Sequence, residues 1–287
     1  MYLQLLIVGI SMGMLYAILA LGVVLLVRAV GVLNFAQGDL FMLGAYVTFA
    51  LSYQAQLPLY ATVLVALVVF AVFGILFMFS VYWPLRRSTW GATIIISCLG
   101  ASTAIKELTK LIWGSNPLVA APLIKGTITI AGAKLEYQYL FIIAICGLLI
   151  FLVWMLFEKL YAGRLMEAAA QNKYAAELLG ISTVLTTAAT YAISASVAGI
   201  GGWLAAPLFL VTTSLSDLLI KGFAGMVIGG FGSIKGAVIG SIFIGIIESY
   251  SVLITSTYKN AIVFLVLIVF LIFKPKGLFP QKIGEKV

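Results

Sequence analysis

The chain has 287 residues, of which 63% are hydrophobic and only 9% are charged. So few charged side chains cannot cover a water-soluble domain, and the composition equally excludes a disordered chain. The apolar runs are long and unbroken, unlike the short alternating segments of a barrel, and they predict an all-α polytopic membrane protein. The net charge of +8 does not indicate binding to nucleic acid, because the basic residues form no clustered face. We therefore use the basic residues to predict the orientation of the chain in the membrane.

The chain has no histidine and two cysteines, Cys98 and Cys146. A structural zinc site and a His-based catalytic triad are therefore not available. Both cysteines lie in apolar runs, so we expect buried core residues rather than a disulfide or a metal site. The phosphate-binding motif G-x-x-x-x-G-K-[ST] does not occur. We predict a chain that is not an enzyme and binds no cofactor, so that any ATP driving it is bound by another chain.

The apolar runs predict about seven full crossings plus one re-entrant pair of helices. The predicted spans are 2–27, a second run ending near 53, 58–83, 91–113, 137–157, 184–211 and 260–273. The first span lacks a basic leader and a small-residue cleavage site, so we expect it to remain in the protein rather than be removed as a signal peptide.

Residues 114–136 are predicted to form an extracytoplasmic segment. The segment contains Asn116-Pro117 and Pro122, which disfavour a span. The β-prone run Thr127–Ile130, with Gly126 before it and Gly132 after it, indicates a small hairpin.

A glycine-rich break from Gly229 to Gly236 divides residues 218–250. We interpret this region as two half-length helices that meet inside the membrane, where non-helical backbone must be buried in protein or line a cavity. A polar break at Asn34–Gly44 occupies a similar place in the first half of the chain. Interrupted segments in both halves indicate a possible inverted repeat around a midplane pathway.

Glycines four residues apart, in Gly225–Gly229 and Gly232–Gly240, place bare backbone on one helix face. Such faces allow close packing within the subunit, or they form a subunit interface or a pathway wall. Six charged residues lie in or beside predicted spans: Asp39, Lys106, Glu107, Lys110, Lys221 and Glu248. We expect most of them near helix ends, where side chains extend to the interface, and this placement does not favour direct ion coupling.

The loop from Phe157 to Ser182 is the most charged stretch of the chain. Its charged residues are Glu158, Lys159, Arg164, Glu167, Lys173 and Glu177. Its alanines predict two short helices, at about 163–172 and 174–179, with Gly180 as a left-handed cap. Helical spacing places small apolar residues on one face: Leu165, Ala168, Ala169, Asn172, Ala176 and Leu179. This face would allow close approach of a partner protein; the alternative is a loop helix that fills space between two spans.

The basic residues predict the orientation of the chain. If the 157–182 loop is cytoplasmic, ten basic residues lie inside: Arg28, Arg86, Arg87, Lys159, Arg164, Lys173, Lys274, Lys276, Lys282 and Lys286. Only Lys125, Lys134 and Lys259 lie outside. We therefore expect an extracytoplasmic N-terminus and a cytoplasmic C-terminus.

Four stretches, in the right order along nearly the whole chain, resemble the branched-chain amino acid ABC transporter permeases of the LivH type. Asn34–Tyr46 is similar to the signature near the start of that family, and Gly163–Ile181 resembles its cytoplasmic coupling loop. Gly229–Gly240 and the closing Lys274–Phe279 also match the family pattern. The chain departs from the pattern at Glu167, where a basic residue is expected, and at Lys173, where importer loops carry glycine.

The resemblance implies a permease subunit of an ATP-driven importer in the cell inner membrane, a single permease domain over 1–287 that carries branched-chain or hydrophobic amino acids. The implied partners are a second homologous permease, two ABC ATPase subunits that bind the ATP, and an extracytoplasmic substrate-binding protein. Urea and amide importers share these motifs and form the closest alternative. An autonomous secondary transporter and a purely structural membrane anchor are further alternatives.

Two sets of site residues follow from this interpretation. The expected ATPase-coupling residues are Arg164, Glu167, Ala169, Ala176 and Gly180. The expected pathway residues are Asn34, Gln37, Gly232 and Ser233, which bring polar groups or bare backbone to membrane depth, as a zwitterionic ligand requires. The alternative for the pathway set is that these residues satisfy each other's hydrogen bonds.

Overall fold

The computed structural model describes residues 2–86, 88, 92–130 and 133–279. Within these residues the chain is almost entirely helical and six helices are long and apolar enough to cross a membrane, so the predicted all-α polytopic class is confirmed. Four residues used in the predictions lie outside the described residues: Arg87, Gly132, Lys282 and Lys286.

The described residues form eleven α-helices. They are α1 (Tyr2–Ala29), α2 (Gln37–Phe49), α3 (Leu59–Phe77), α4 (Ala92–Trp113), α5 (Tyr137–Glu158), α6 (Tyr161–Gln171), α7 (Lys173–Leu178), α8 (Thr183–Ala205), α9 (Leu218–Gly229), α10 (Ile234–Ser251) and α11 (Lys259–Phe273). A π-helical turn extends α2 over Ala50–Gln54, and further turns extend α3 to Leu85. Cys98 and Cys146 are both buried and free, as predicted.

A two-stranded hairpin occupies part of the segment predicted to be exposed. Strand β1 (Thr127–Ile130) pairs antiparallel with β2 (Ala133–Glu136), with Thr127 opposite Glu136. The predicted hairpin is confirmed.

The predicted break between α9 and α10 is confirmed, but the interpretation as two half-length helices is wrong for α10. Helix α9 has 12 residues, whereas α10 has 18 and is long and apolar enough to cross a membrane. The chain that leaves α11 bonds to the end of α9: Leu278 N donates to Ile228 O and Phe279 N to Gly229 O, each at 2.9 Å. The break therefore lies beside the basic segment after α11 rather than beside the middle of that helix. The number of crossings stays a prediction.

The chain divides into two compact units. The first contains Met1–Val24, Ala121–Val153 and Leu219–Ile283, and the second contains Leu25–Ala120 and Trp154–Leu218. The single permease domain expected from the sequence stays a prediction.

In the first unit, the glycine faces join α9 to α10. A Cβ added to Gly225 would lie 2.5 Å from the Cα of Ser241, and Cβ atoms on Gly229 and Gly240 would overlap the carbonyl oxygens of Gly236 and Gly225. These glycines therefore allow α9 and α10 to pack closely within the chain.

In the second unit, α8 lies directly on α2 and α3. A Cβ on Gly44 would overlap the carbonyl oxygen of Gly199, and one on Gly202 would overlap that of Phe41. On α3, Gly74 meets the backbone of α8 in the same way. Without a side chain at these positions, the helix backbones approach closely, which drives packing where lipid removes the hydrophobic difference between inside and outside.

We predict that Gly44→Ala destabilises the second unit by about 1–3 kcal/mol, because the added methyl group has no space between α2 and α8. Thermal unfolding of the detergent-purified chain measures the loss. Gly100→Ala is the matched control: nothing lies within 4 Å of a Cβ there, and alanine in a helix interior stabilises by about 0.5–1 kcal/mol. Equal effects of the two substitutions would contradict the close contact.

Candidate functional site

The charged loop folds as two short helices, close to the predicted bounds. Asn172 has extended backbone angles (φ −149°, ψ 102°), which separate α6 from α7. Its side-chain oxygen accepts a hydrogen bond from Ala175 N at 3.0 Å and so caps α7. The loop therefore changes direction at Asn172.

Gly180 ends the loop helices in the left-handed conformation that the sequence predicts, with φ +80°. Its N–H donates to Glu177 O at 3.0 Å, and Ile181 N donates to Ala176 O at 2.9 Å. These two bonds form a Schellman cap, for which glycine is the favoured residue. Ser182 then caps the next helix, since its hydroxyl accepts from Leu185 N at 3.4 Å.

The structure corrects the expectation that the alanine face meets a partner. Ala169 and Ala176 are only 4% and 3% exposed, because α6 and α7 pack against each other and against α8. Small side chains let these helices lie close to their own neighbours. Large apolar residues form the exposed surface of the loop and are more than two-thirds exposed: Tyr161, Tyr174, Leu178 and Leu179. Leu179, predicted on the alanine face, is therefore exposed, unlike Ala169 and Ala176. Arg164 and Gly180 are exposed as well.

An ion pair ties α6 to the end of α1. The Arg28 guanidinium lies 2.5 Å from Glu167 and 3.4 Å from Glu158. Burial raises the pKa of Glu167, while the charge of Arg28 opposes that rise. Glu167 therefore contacts α1 of the same chain, although the sequence predicted it at the charged edge of a contact with the ATPase. From the sequence, Arg28 was assigned a role in orientation alone. The available signal for the ion pair was a basic residue at the end of α1 and acidic residues in the charged loop.

Gln37 and Ser194 form a closed polar pair at the start of α2. Gln37 Nε2 donates to the Ser194 carbonyl oxygen at 3.0 Å, and Ser194 Oγ donates to Gln37 Oε1 at 3.1 Å. Gln37 is completely buried, and Ser194 lies half-way along α8. The break before α2 therefore lies beside the middle of a membrane-length helix.

Asn34 is the second predicted pathway residue in this break. Its Oδ1 accepts from Ala36 N at 3.0 Å, which stabilises the turn into α2. Its Nδ2 is buried and finds no hydrogen-bond partner among the described residues. A buried donor of this kind is an available group for a ligand.

Gly232 and Ser233 have local structural roles in the first unit. Gly232 has φ +82°, and Ser233 Oγ caps α10 by accepting from Gly236 N at 3.1 Å. Since Asn34 and Gln37 belong to the second unit, a pathway shared by all four residues stays a prediction.

Two acidic residues of the spans, Asp39 and Glu248, lie near helix ends as predicted, but their side chains are buried and paired rather than extended to the interface. Glu248, in the first unit, accepts hydrogen bonds from Lys221 Nζ and from the Tyr16 hydroxyl, both at 2.6 Å, and it lies 3.7 Å from Lys259 Nζ. The cluster keeps the charge of Glu248 compensated inside the helices.

The second acidic residue, Asp39, is 1% exposed and belongs to the second unit. Lys106 Nζ lies 3.8 Å from Asp39 and 3.9 Å from Asp217. Lys106 therefore shares its charge between two carboxylates rather than extending freely to water.

Comparison with known proteins identifies the family of the chain. The family model described as the branched-chain amino acid transport system permease component matches residues 5–271. The chain belongs to this family. It is therefore a permease component of a transport system, a multi-pass membrane protein and not an enzyme, as the sequence predicts.

Curated relatives match over the whole chain. The high-affinity branched-chain amino acid transport permease proteins BraD of Pseudomonas aeruginosa and LivH of Escherichia coli K12 are 29% and 28% identical, covering 100% of this chain and 98% of each relative. A probable LivH permease of Methanocaldococcus jannaschii is 28% identical over 82% of this chain and 76% of that protein. The solved structure of PsaBC from Streptococcus pneumoniae in complex with Fab shares the fold, with a TM-score of 0.50 at 14% identity over 94% of this chain and 89% of that chain.

We predict that Lys221→Met destabilises the chain by about 3 kcal/mol, since it removes the closest cation from a buried carboxylate. The double variant Lys221→Met, Glu248→Gln should regain most of that loss, because no buried uncompensated charge remains: Lys259, the other cation beside Glu248, is 45% exposed and stays hydrated. Thermal unfolding of the purified chain measures both. Lys110→Met is the control: Lys110 pairs with Glu107 at 2.7 Å, but both side chains are exposed, so its loss should cost less than about 1 kcal/mol. Equal losses for Lys221→Met and Lys110→Met would contradict the buried cluster.

Proposed function

We propose that this chain forms part of the membrane pathway of an ATP-driven importer of branched-chain and other hydrophobic amino acids. ATP is bound and hydrolysed on separate ABC ATPase subunits that dock on α6 and α7. A second homologous permease completes the pathway, and an extracytoplasmic binding protein delivers the substrate. The observation that carries the proposal is the exposed apolar face of α6 and α7 in a chain that belongs to a permease family.

The exposed face of the loop supports docking of a protein. Leu178 and Leu179 are 72% and 80% exposed on the last turn of α7, next to the capping Gly180. Apolar side chains of this size, held on a rigid and capped helix, gain free energy when a partner removes them from water. Arg164 supplies a charged neighbour for the contact.

The distribution of basic residues supports a cytoplasmic loop. Arg28 pairs with Glu158 and Glu167, and Lys173 Nζ donates to the Tyr82 hydroxyl at 3.0 Å. The basic residues at the ends of α1 and α3 and in the loop thus share one end of the second unit. The positive-inside rule assigns that end to the cytoplasm, so that the N-terminal end of α1 lies outside. The same rule, applied to Lys274 and Lys276 after α11, assigns the C-terminus to the inside.

Helix α8 connects the exposed residues of α7 to the polar break before α2. The loop helices lie against α8, the Gly180–Ser182 turn leads directly into it, and Ser194 in its middle holds Gln37. A displacement of α7 by the ATPase would therefore move α8 and the start of α2 together, as a rigid helix between two alternative packings. ATP binding on the partner supplies the differential free energy for the change.

The buried amide of Asn34 supports an amino acid as the transported molecule. A zwitterion crossing the membrane requires polar groups along its path, and the unpartnered Nδ2 of Asn34 is a donor for a carboxylate. Gln37 is held by Ser194 and positions the same turn. The branched-chain substrate is supported by the relatives, since BraD and LivH are both high-affinity branched-chain amino acid permeases.

We predict that Leu179→Asp lowers ATP-dependent leucine uptake by at least about tenfold in vesicles that contain the assembled transporter, because a charge replaces an apolar contact at the docking face. Insertion of the chain should not change, since Leu179 is exposed. Val119→Asp is the control, because Val119 is 72% exposed in the segment predicted to be on the other side of the membrane.

Competition in the same assay tests the substrate. Isoleucine and valine should compete with leucine, and urea should not. Competition by urea alone would reassign the substrate to the amide class. Full uptake by the Leu179→Asp transporter, or leucine transport by the purified chain without any ATPase, would contradict the proposed coupling.

A further inference from the structure

A cavity of about 270 Å³ lies in the second unit, where the end of α3 meets α7 and the start of α8. Its lining combines cations, hydroxyl groups and apolar surface, and consists of Tyr82, Trp83, Arg86, Lys173, Glu177, Thr183, Val184 and Thr187. None of these residues was singled out from the sequence as a binding site.

Arg86 contributes a guanidinium group to the lining of this cavity. Its guanidinium lies over the Trp83 ring, 3.1 Å from the centroid, which fixes the plane of the group. Its NH1 atom is buried and has no hydrogen-bond partner among the described residues. A buried guanidinium nitrogen without an acceptor is costly unless an anion occupies the space beside it.

Lys173 supplies a second cation. Its Nζ donates to the Tyr82 hydroxyl at 3.0 Å, which leaves two further N–H donors on the ammonium group. The one carboxylate of the lining, Glu177, already accepts a hydrogen bond from the Thr183 hydroxyl at 2.6 Å. Two cations against one carboxylate leave the cavity with an excess positive charge.

We propose that this cavity binds the phosphate group of an anionic membrane lipid. Planar guanidinium and ammonium donors together suit a phosphate oxyanion. Trp83 and Arg86 lie at the end of a membrane-length helix, where aromatic and basic side chains meet lipid headgroups. Val184 and Trp83 provide apolar surface beside the cations, which a lipid glycerol backbone and acyl chain would cover. The same donors would bind free phosphate, so the source is decided by experiment.

The site joins α3 to α7 through one ligand. A bound phosphate would bridge Arg86, at the end of a span, and Lys173, at the start of the second loop helix. This bridge would hold α7 against the end of α3 within the second unit. The binding proposal depends on the cavity alone and not on ATPase docking.

Binding is measured on the full-length chain in detergent by native mass spectrometry, with phosphatidylglycerol or cardiolipin as the probe and phosphatidylcholine as the zwitterionic comparison. We expect one anionic lipid per chain that survives mild activation. Arg86→Gln and Lys173→Gln should each weaken apparent affinity by about tenfold, the effect of losing one hydrogen bond to a charged group. Arg86→Lys should retain part of the binding, and Lys159→Gln, which removes an exposed cation outside the lining, should leave it unchanged.

A second arm separates the two sources of phosphate. Thermal unfolding is compared in sodium phosphate and sodium chloride at equal ionic strength. Stabilisation by inorganic phosphate that is lost in Arg86→Gln, without any retained lipid, overturns the lipid assignment. Equal lipid binding by Arg86→Gln, Lys173→Gln and Lys159→Gln would show only general attraction to basic protein and would also overturn the proposal.

Discussion

Backbone contact between α8 and its neighbours is the constraint on which the second unit depends. In lipid, apolar side chains gain little from leaving the solvent, so close van der Waals packing has to hold the helices together. Gly44 and Gly202 supply this packing by leaving no side chain between α2 and α8, and Gly199 leaves room for the Phe70 ring of α3. Helix α8 can then hold the start of α2 at one place and the loop helices at its end. Helix α8 therefore positions both the buried polar break and the exposed residues of α6 and α7.

Several buried polar groups among the described residues are compensated inside the protein. Glu248 has two lysines and a tyrosine hydroxyl around it, and Gln37 bonds both to the backbone and to the hydroxyl of Ser194. Such pairing allows polar groups at membrane depth without exposing them to lipid. A transport pathway needs this property, because its walls must bind a zwitterion while the outer surface stays apolar. Asn34 Nδ2 is one of the buried atoms that lack a hydrogen-bond partner among the described residues, and Arg86 NH1 is another.

Local backbone structure was predictable from the sequence where a single short segment determines it. The Asn172 boundary, the left-handed Gly180 and the Thr127–Ile130 hairpin strand follow from residue types and spacing. The direction that a helical face points was not predictable. Helical periodicity placed Ala169 and Ala176 on one face, but it did not show that α8 lies against that face. The neighbour of a helical face is determined by contacts between residues that are distant in the sequence.

Long-range pairings were missed for the same reason. Lys221 and Glu248 lie 27 positions apart, and Arg28 and Glu158 lie 130 apart; no periodicity joins such residues. The break after Gly229 suggested a midplane turn because glycine-rich backbone is compatible with several depths. The position of that break is determined by the segment after α11, which forms hydrogen bonds with the end of α9.

Hydrogen–deuterium exchange on the assembled transporter tests the central claim most directly. Backbone amides of the isolated chain are compared with those of the chain bound to its ATPase subunits. We expect slower exchange across α7 and its cap, Lys173–Ile181, with no change in the hairpin strands β1 and β2. Protection confined to the hairpin, or no protection of α7, would contradict a chain that is moved through this loop.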